Sequence, residues 1–184
     1  MKPAGYLINN KDDAQGEHGF IYDYILAENG LFLEARSPLI ETRVCVAPIT
    51  VRGLNPLDEM LSLPKGKIPG HLYELALAML YMDIYRECYL AITWDGEYRI
   101  RKPEQVQHEL KVEYQVLPST IMDIHSHGSL PALNSQLDNQ DEQGFRLSLV
   151  AGKLNTATPE LNLRLAVYGY YMSLELKDVF ECIP

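Results

Sequence analysis

The period of the apolar positions changes near Gly70. Before it, the rhythm is that of strands. Residues 20–27 and 31–36 are apolar-rich runs around Glu28-Asn29-Gly30, a hairpin signal, and 41–51 alternates through Val44, Val46, Ile49 and Val51. Residues 52–70 carry Gly53, Pro56, Pro64, Gly66, Pro69 and Gly70, a density of breakers that marks a linker or irregular crossing. Residues 2–19 are polar and are expected to be poorly ordered. From His71 the spacing becomes helical, with Leu72, Leu75, Leu77, Met79, Leu80 and Met82 predicting a helix over 71–85. Strands are predicted over 88–94, 98–101, 112–116, 120–125, 145–152 and 161–172, a short helix over 135–143 and a last helical turn at 177–181. A helix, then strands, then a helix and more strands predicts an α+β fold with a curved mixed sheet. We therefore expect a β-rich N-terminal extension, residues 1–65, ahead of an α+β domain, residues 66–184.

Composition narrows the classes. The chain has 184 residues, 47% of them apolar, enough for a core. A formal net charge of −9 argues against nucleic-acid partners, which need a basic footprint, and against an anionic membrane surface. Residues 72–92 are the longest apolar region, but Glu74, Asp83, Arg86 and Glu87 interrupt it, so no membrane span is expected. The N-terminus lacks the apolar core of a signal peptide. Cys45, Cys88 and Cys182 are odd in number and scattered, which suits a reducing cytoplasm better than a disulfide framework.

The chemistry concentrates in fourteen residues. His125-Ser126-His127, seven residues, Ser135, two residues and Asp138 form the pattern H-x-H-x7-S-x2-D. On a strand, His125 and His127 face one side while Ser126 faces the other. If a helix starts at Ser135, Asp138 lies one turn in, on the side of the Ser135 hydroxyl. Two imidazoles and a carboxylate are the ligand set of a catalytic Zn²⁺ that leaves one position open for water. Each half also has a plain reading: polar residues at a sheet rim, and an N-cap with a first-turn carboxylate.

These four residues resemble the signature of the JAB/MPN (JAMM) zinc metallopeptidases, the deubiquitinase superfamily, and all four positions are filled. Residues 123–127 and 137–145 are similar to a bacterial branch, PRTRC system protein A, whose members are encoded on mobile elements beside ubiquitin-pathway-like and partition-related partners. The resemblance covers residues 66–172 and is weak before Leu63. Gly128 stands where many members have proline. The resemblance implies the MPN (cytidine-deaminase-like) fold, with helices flanking a curved mixed sheet. It further implies His125, His127 and Asp138 as zinc ligands, a stabilising hydroxyl on Ser135, and a general base between the first long helix and the next strand. Glu87 occupies that junction; Glu74, the competitor, sits within the helix on its solvated face. The implied activity is hydrolysis of a peptide or isopeptide bond at the C-terminal tail of a bacterial ubiquitin-like or sulfur-carrier-like protein. The implied partners are that protein or its conjugate and, from the same gene cluster, E1-like and E2-like proteins.

Only six residues separate Asp138 from Phe145, which leaves no room for the insertion that linkage-specific polyubiquitin cleavage requires. Two other readings stay open: a catalytically silent MPN scaffold, and a zinc hydrolase of small molecules or peptides. His18, His71 and His108 lack metal-like partners at short spacing. Cys88 reads as a buried strand residue rather than a ligand or nucleophile, and Asp141 and Glu142 as a solvated helix face rather than support for the centre.

Overall fold

In the computed structural model, residues 2–10, 13–107, 112–133 and 144–182 are described. The chain divides into two compact units, Met1–Gly66 and Lys67–Pro184.

The first unit is one six-stranded sheet: β1 (Ala4–Asn10), β2 (Asp13–Glu17), β3 (Tyr22–Ala27), β4 (Gly30–Arg36), β5 (Glu41–Ala47) and β6 (Met60–Ser62). Its order is β2-β1-β3-β4-β5-β6, with β1 parallel to β3 and every other pair antiparallel. The predicted hairpin is β3–β4. Its turn is fixed by the Asn29 side chain, which donates to the Leu57 carbonyl at 2.8 Å and accepts from the Leu57 amide at 2.9 Å. Leu7, Ile25, Ala27 and Phe32 form a core cluster, with Ala14, Cys45 and Leu57 packed against it. Residues 2–19, expected to be poorly ordered, instead contain β1 and β2. The polar Asn9 belongs there because it is buried and donates to the Asn55 and Pro56 carbonyls at 2.9 and 3.1 Å.

The second unit holds a six-stranded sheet of order β14-β13-β12-β11-β7-β8, built from β7 (Tyr89–Trp94), β8 (Tyr98–Arg101), β11 (Thr120–Ser126), β12 (Phe145–Gly152), β13 (Glu160–Val167) and β14 (Tyr170–Ser173). β11 and β12 are parallel; the other pairs are antiparallel. A separate hairpin joins β9 (Gln105–Gln107) to β10 (Val112–Tyr114). The helix α1 (Gly70–Tyr81) buries Leu72, Ala76 and Leu80 at i, i+4, i+8 and packs on β8 and β11. It ends short of the predicted Tyr85. The Asp83 carboxylate accepts from the Tyr85 amide and pairs with Arg86 at 2.8 Å, offering the chain a local alternative to another helical turn. A one-turn helix, α2 (Leu176–Val179), falls near the predicted position.

The α+β expectation, with the helix-flanked MPN fold that the resemblance implies, is overturned. The described residues are 48% strand and 10% helix, in two helices and two six-stranded sheets. Strand alternation governs stretches read as polar or as linker, and the helix expected over 135–143 lies outside the described residues. No helix among the described residues is long and apolar enough to cross a membrane.

Register sorts the second sheet into two faces. One carries Ile92, Met122, Leu147, Leu165 and Met172 in one cross-strand row and Leu90, Ile124, Leu149 and Leu163 in the next. The opposite face carries Ala91, Asp123, Ser148 and Arg164, then Tyr89, His125, Val150 and Asn162. The predicted strand 161–172 is two strands joined by a two-residue turn. Val167 pairs with Tyr170 across Tyr168 (φ 49°) and Gly169 (φ 88°), a left-handed pair that only a tight hairpin of the type I′ kind uses. Gly169→Ala puts a Cβ on that conformation and is expected to lower stability by about 1–2 kcal/mol, read as the midpoint of urea unfolding.

Candidate metal centre

The two histidines of the motif meet. His125 is on β11 and 9% exposed, and its Nε2 is sealed from solvent. His127 follows the strand end, where its amide continues the β11–β12 ladder by donating to the Ala151 carbonyl at 2.8 Å. Their ring centroids are 5.1 Å apart and their planes tilted by 45°. Two imidazoles on one tetrahedral zinc, each with its ring centre about 3.2 Å from the metal, would have centroids about 5.2 Å apart. The separation of the pair is thus that of two imidazoles on a shared metal.

The tautomer of His127 is set by its neighbour. Nδ1 lies 3.1 Å from the Pro131 carbonyl, which can only accept, so Nδ1 is the donor, and in the neutral ring that tautomer leaves the lone pair on Nε2. Metal-ligating histidines are oriented in this way. The loop that supplies Pro131 is held by backbone bonds from Leu130 to the His127 carbonyl, Lys153 to Leu130 and Leu154 to Gly128. Glycine is required twice. Gly128 has φ 55°, which proline's ring forbids, and a Cβ there would lie 2.5 Å from the Ile84 carbonyl. A Cβ on Gly152 would lie 2.4 Å from both the Ala132 nitrogen and the Leu130 carbonyl.

Glu87 is half-buried six residues beyond the end of α1, so a loop rather than a helix terminus presents it. β7 meets β11 with Tyr89 opposite His125, and the Ser126 amide donates to the Cys88 carbonyl at 3.0 Å. The paired register ends at Tyr89 and His125, so Glu87 and His127 each stand two residues beyond it. Ser126, the middle residue of the motif, points away from the imidazoles as expected. Its hydroxyl accepts from the Cys88 amide at 3.0 Å and ties down the residue beside Glu87. Glu74 is exposed on α1. Cys88 is buried, and burial pushes its thiol up, which disfavours the thiolate a nucleophile or ligand needs. Ser135, Asp138, Asp141, Glu142 and His108 lie outside the described residues. Among the described residues no three His, Cys, Asp or Glu side chains converge to hold a metal, so the third ligand rests on the motif alone.

Sequence reasoning missed the polar network behind His125. The Tyr89 hydroxyl donates to Asp123 at 2.5 Å, and Arg146 holds the other Asp123 oxygen at 3.0 Å. Tyr89 is fully buried. Its ring stacks on Tyr114 with centroids 3.4 Å apart. The Gln105 side-chain amide bonds both its backbone N–H and its C=O, each at 2.9 Å. Burial pushes the Asp123 carboxyl up against the opposing pull of Arg146 and the Tyr89 hydroxyl. Burial, then the Asp123 charge, pushes the Tyr89 phenol far above its ordinary 10.0. The available signal was period two: Asp123 and His125 alternate on one strand, and His127 follows its end at the same spacing.

Two outcomes follow from this geometry. Gly128→Ala should destabilise the fold by about 1–2 kcal/mol from its left-handed backbone alone, measured by urea unfolding, and displace the His127 loop. Tyr89 is held protonated in the native state, so above pH 10 the unfolded chain loses this proton first. The native state then binds more protons, and stability falls with pH at up to about 1.4 kcal/mol per unit from this group. Unfolding at pH 9, 10 and 11 should show that slope reduced in Tyr89→Phe; equal slopes would refute it.

No protein-family model matches this chain, and no curated protein matches it in sequence.

Proposed function

We propose that this protein is a zinc-dependent metallopeptidase that hydrolyses a peptide or isopeptide bond at the C-terminal tail of a bacterial ubiquitin-like or sulfur-carrier-like protein. The observation that carries the reading is the convergence of His125 and His127, with His127 Nδ1 committed to Pro131. The fold implied by the sequence resemblance is not the one adopted. The chemistry therefore rests on the side-chain geometry and the motif, and the substrate class on the motif's resemblance alone.

His125 and His127 would hold the metal through ring nitrogens, and Asp138 through a carboxylate oxygen. Bound zinc lowers the pKa of its water towards about 7 and polarises a carbonyl. Glu87, two residues before the start of β7, would take the proton of the attacking water and return it to the departing amine. The Ser135 hydroxyl donates to the carbonyl oxygen as negative charge develops there. The ubiquitin-like protein or its conjugate is the substrate, and E1-like and E2-like proteins of the same gene cluster are its companions. Neither nucleic acid nor a membrane surface is a partner in this reading, in keeping with the charge of −9. Its compartment is the cytoplasm, where the free thiols Cys45, Cys88 and Cys182 stay reduced.

The purified protein should contain close to one zinc per chain by elemental analysis, and His125→Ala or His127→Ala should remove it. A fusion ending in the neighbouring ubiquitin-like tail should be cleaved, and Glu87→Gln should keep the zinc while cutting the rate by at least the 10²–10⁴-fold typical of a lost general base. A zinc-free wild type, or equal cleavage by Glu87→Gln, would remove the enzyme reading in favour of a scaffold.

A further inference from the structure

Tyr89 is held at several points near the candidate centre. Its hydroxyl is anchored on Asp123, its ring lies on Tyr114, and both its backbone polar groups are bonded to Gln105. It is the cross-strand partner of His125, in an antiparallel pair whose side chains stand on one face. Asp123 precedes His125 by two residues on that face, and Arg146, from β12, closes the chain of contacts. Three adjacent strands thus contribute one polar device beside a single imidazole.

Stability does not explain the device. A buried ion pair is often no better than apolar residues of the same volume, because both ions lose water. The same strands show the alternative on their other face, where the rows are entirely aliphatic or methionine except at the margins. What a hydroxyl–carboxylate–guanidinium chain supplies instead is orientation, since each bond fixes a direction as well as a distance.

We propose that Tyr89, anchored by Asp123 and Arg146, is a positioning residue for His125: its immobilised ring is the wall that holds the imidazole in one rotamer, ready to ligate. This inference rests on the reading of His125 as a metal ligand only for its consequence. The restraint on the ring is a property of the metal-free chain. Supporting groups behind metal-ligating histidines change metal affinity by about 10–100-fold when removed, and Tyr89→Phe is expected to fall in that range. The phenylalanine keeps the ring and its stacking on Tyr114 and loses only the anchor.

The test uses the full-length protein without metal and two variants, Tyr89→Phe and Asp123→Asn. Asparagine keeps an acceptor for the Tyr89 hydroxyl while losing the charge that pairs with Arg146. Long-range ¹H–¹⁵N spectra of the imidazoles should show His125 as one sharp tautomeric pattern in wild type. The pattern should be broadened or doubled in Tyr89→Phe and intermediate in Asp123→Asn, while His127, held by Pro131, is unchanged in both. Competition with a chromophoric chelator should then give zinc affinities in the same order. An unchanged His125 pattern in a folded Tyr89→Phe protein overturns the proposal, as does equal disturbance of His125 and His127, which would mark a general loosening of the sheet. Sharp His125 signals lost on substitution, in a wild type that binds no zinc, would uphold the positioning role and reject the metallopeptidase reading.

Discussion

The candidate centre depends on the register of β11 between β7 and β12. Side chains on a strand alternate with period two, so a slip of one residue would send every side chain to the other face. In the observed register, Met122 and Ile124 enter apolar rows across five and four strands, while Asp123 and His125 enter the rows of the opposite face. The burial of the first set enforces the placement of the second. At about 25 cal/mol per Å² of apolar surface, moving those rows into water would cost far more than any hydrogen bond on the polar face could return. His127 inherits the alternation because its amide continues the ladder to Ala151.

The loops then refine what the strands provide. Gly128 and Gly152 let the chain after His127 lie against the Ile84 carbonyl and the end of β12, closer than any side chain would permit. That approach delivers the Pro131 carbonyl to His127 Nδ1. Ser126 does the corresponding work on the other side, holding the Cys88 amide next to Glu87. Gly128, which departs from the resemblance's usual proline, is here demanded by a left-handed backbone. The polar network of Tyr89, Asp123 and Arg146 costs desolvation and returns direction, an exchange that suits a side chain whose orientation matters.

Much of this was legible along the chain. The β3–β4 hairpin, α1, β7, β8 and β12 follow from alternation, helical spacing and turn residues, because these are local consequences of side-chain periodicity. β1 and β2 were not legible. Their polar residues find partners far away in sequence, as Asn9 does at Asn55 and Pro56, and no local pattern announces such a partner. The break between β13 and β14 was hidden for a different reason. Tyr168 is a poor left-handed residue, so the apolar run reads through a turn that Gly169 alone signals weakly.

By itself the sequence determined the chemical inventory: which residues carry imidazole and carboxylate, that His125 and His127 share a face, and that Glu87 lies near the start of the next strand. These follow from composition and from the fixed geometry of an extended chain. Tertiary structure alone decided that the chain is dominated by two sheets rather than helix-flanked. It decided that Tyr89 stands opposite His125, that Asp123 and Arg146 meet behind it, and that Pro131 selects the tautomer of His127. Each of these is a contact between segments whose pairing is set by the summed burial of whole strands, a quantity that no single stretch of sequence contains.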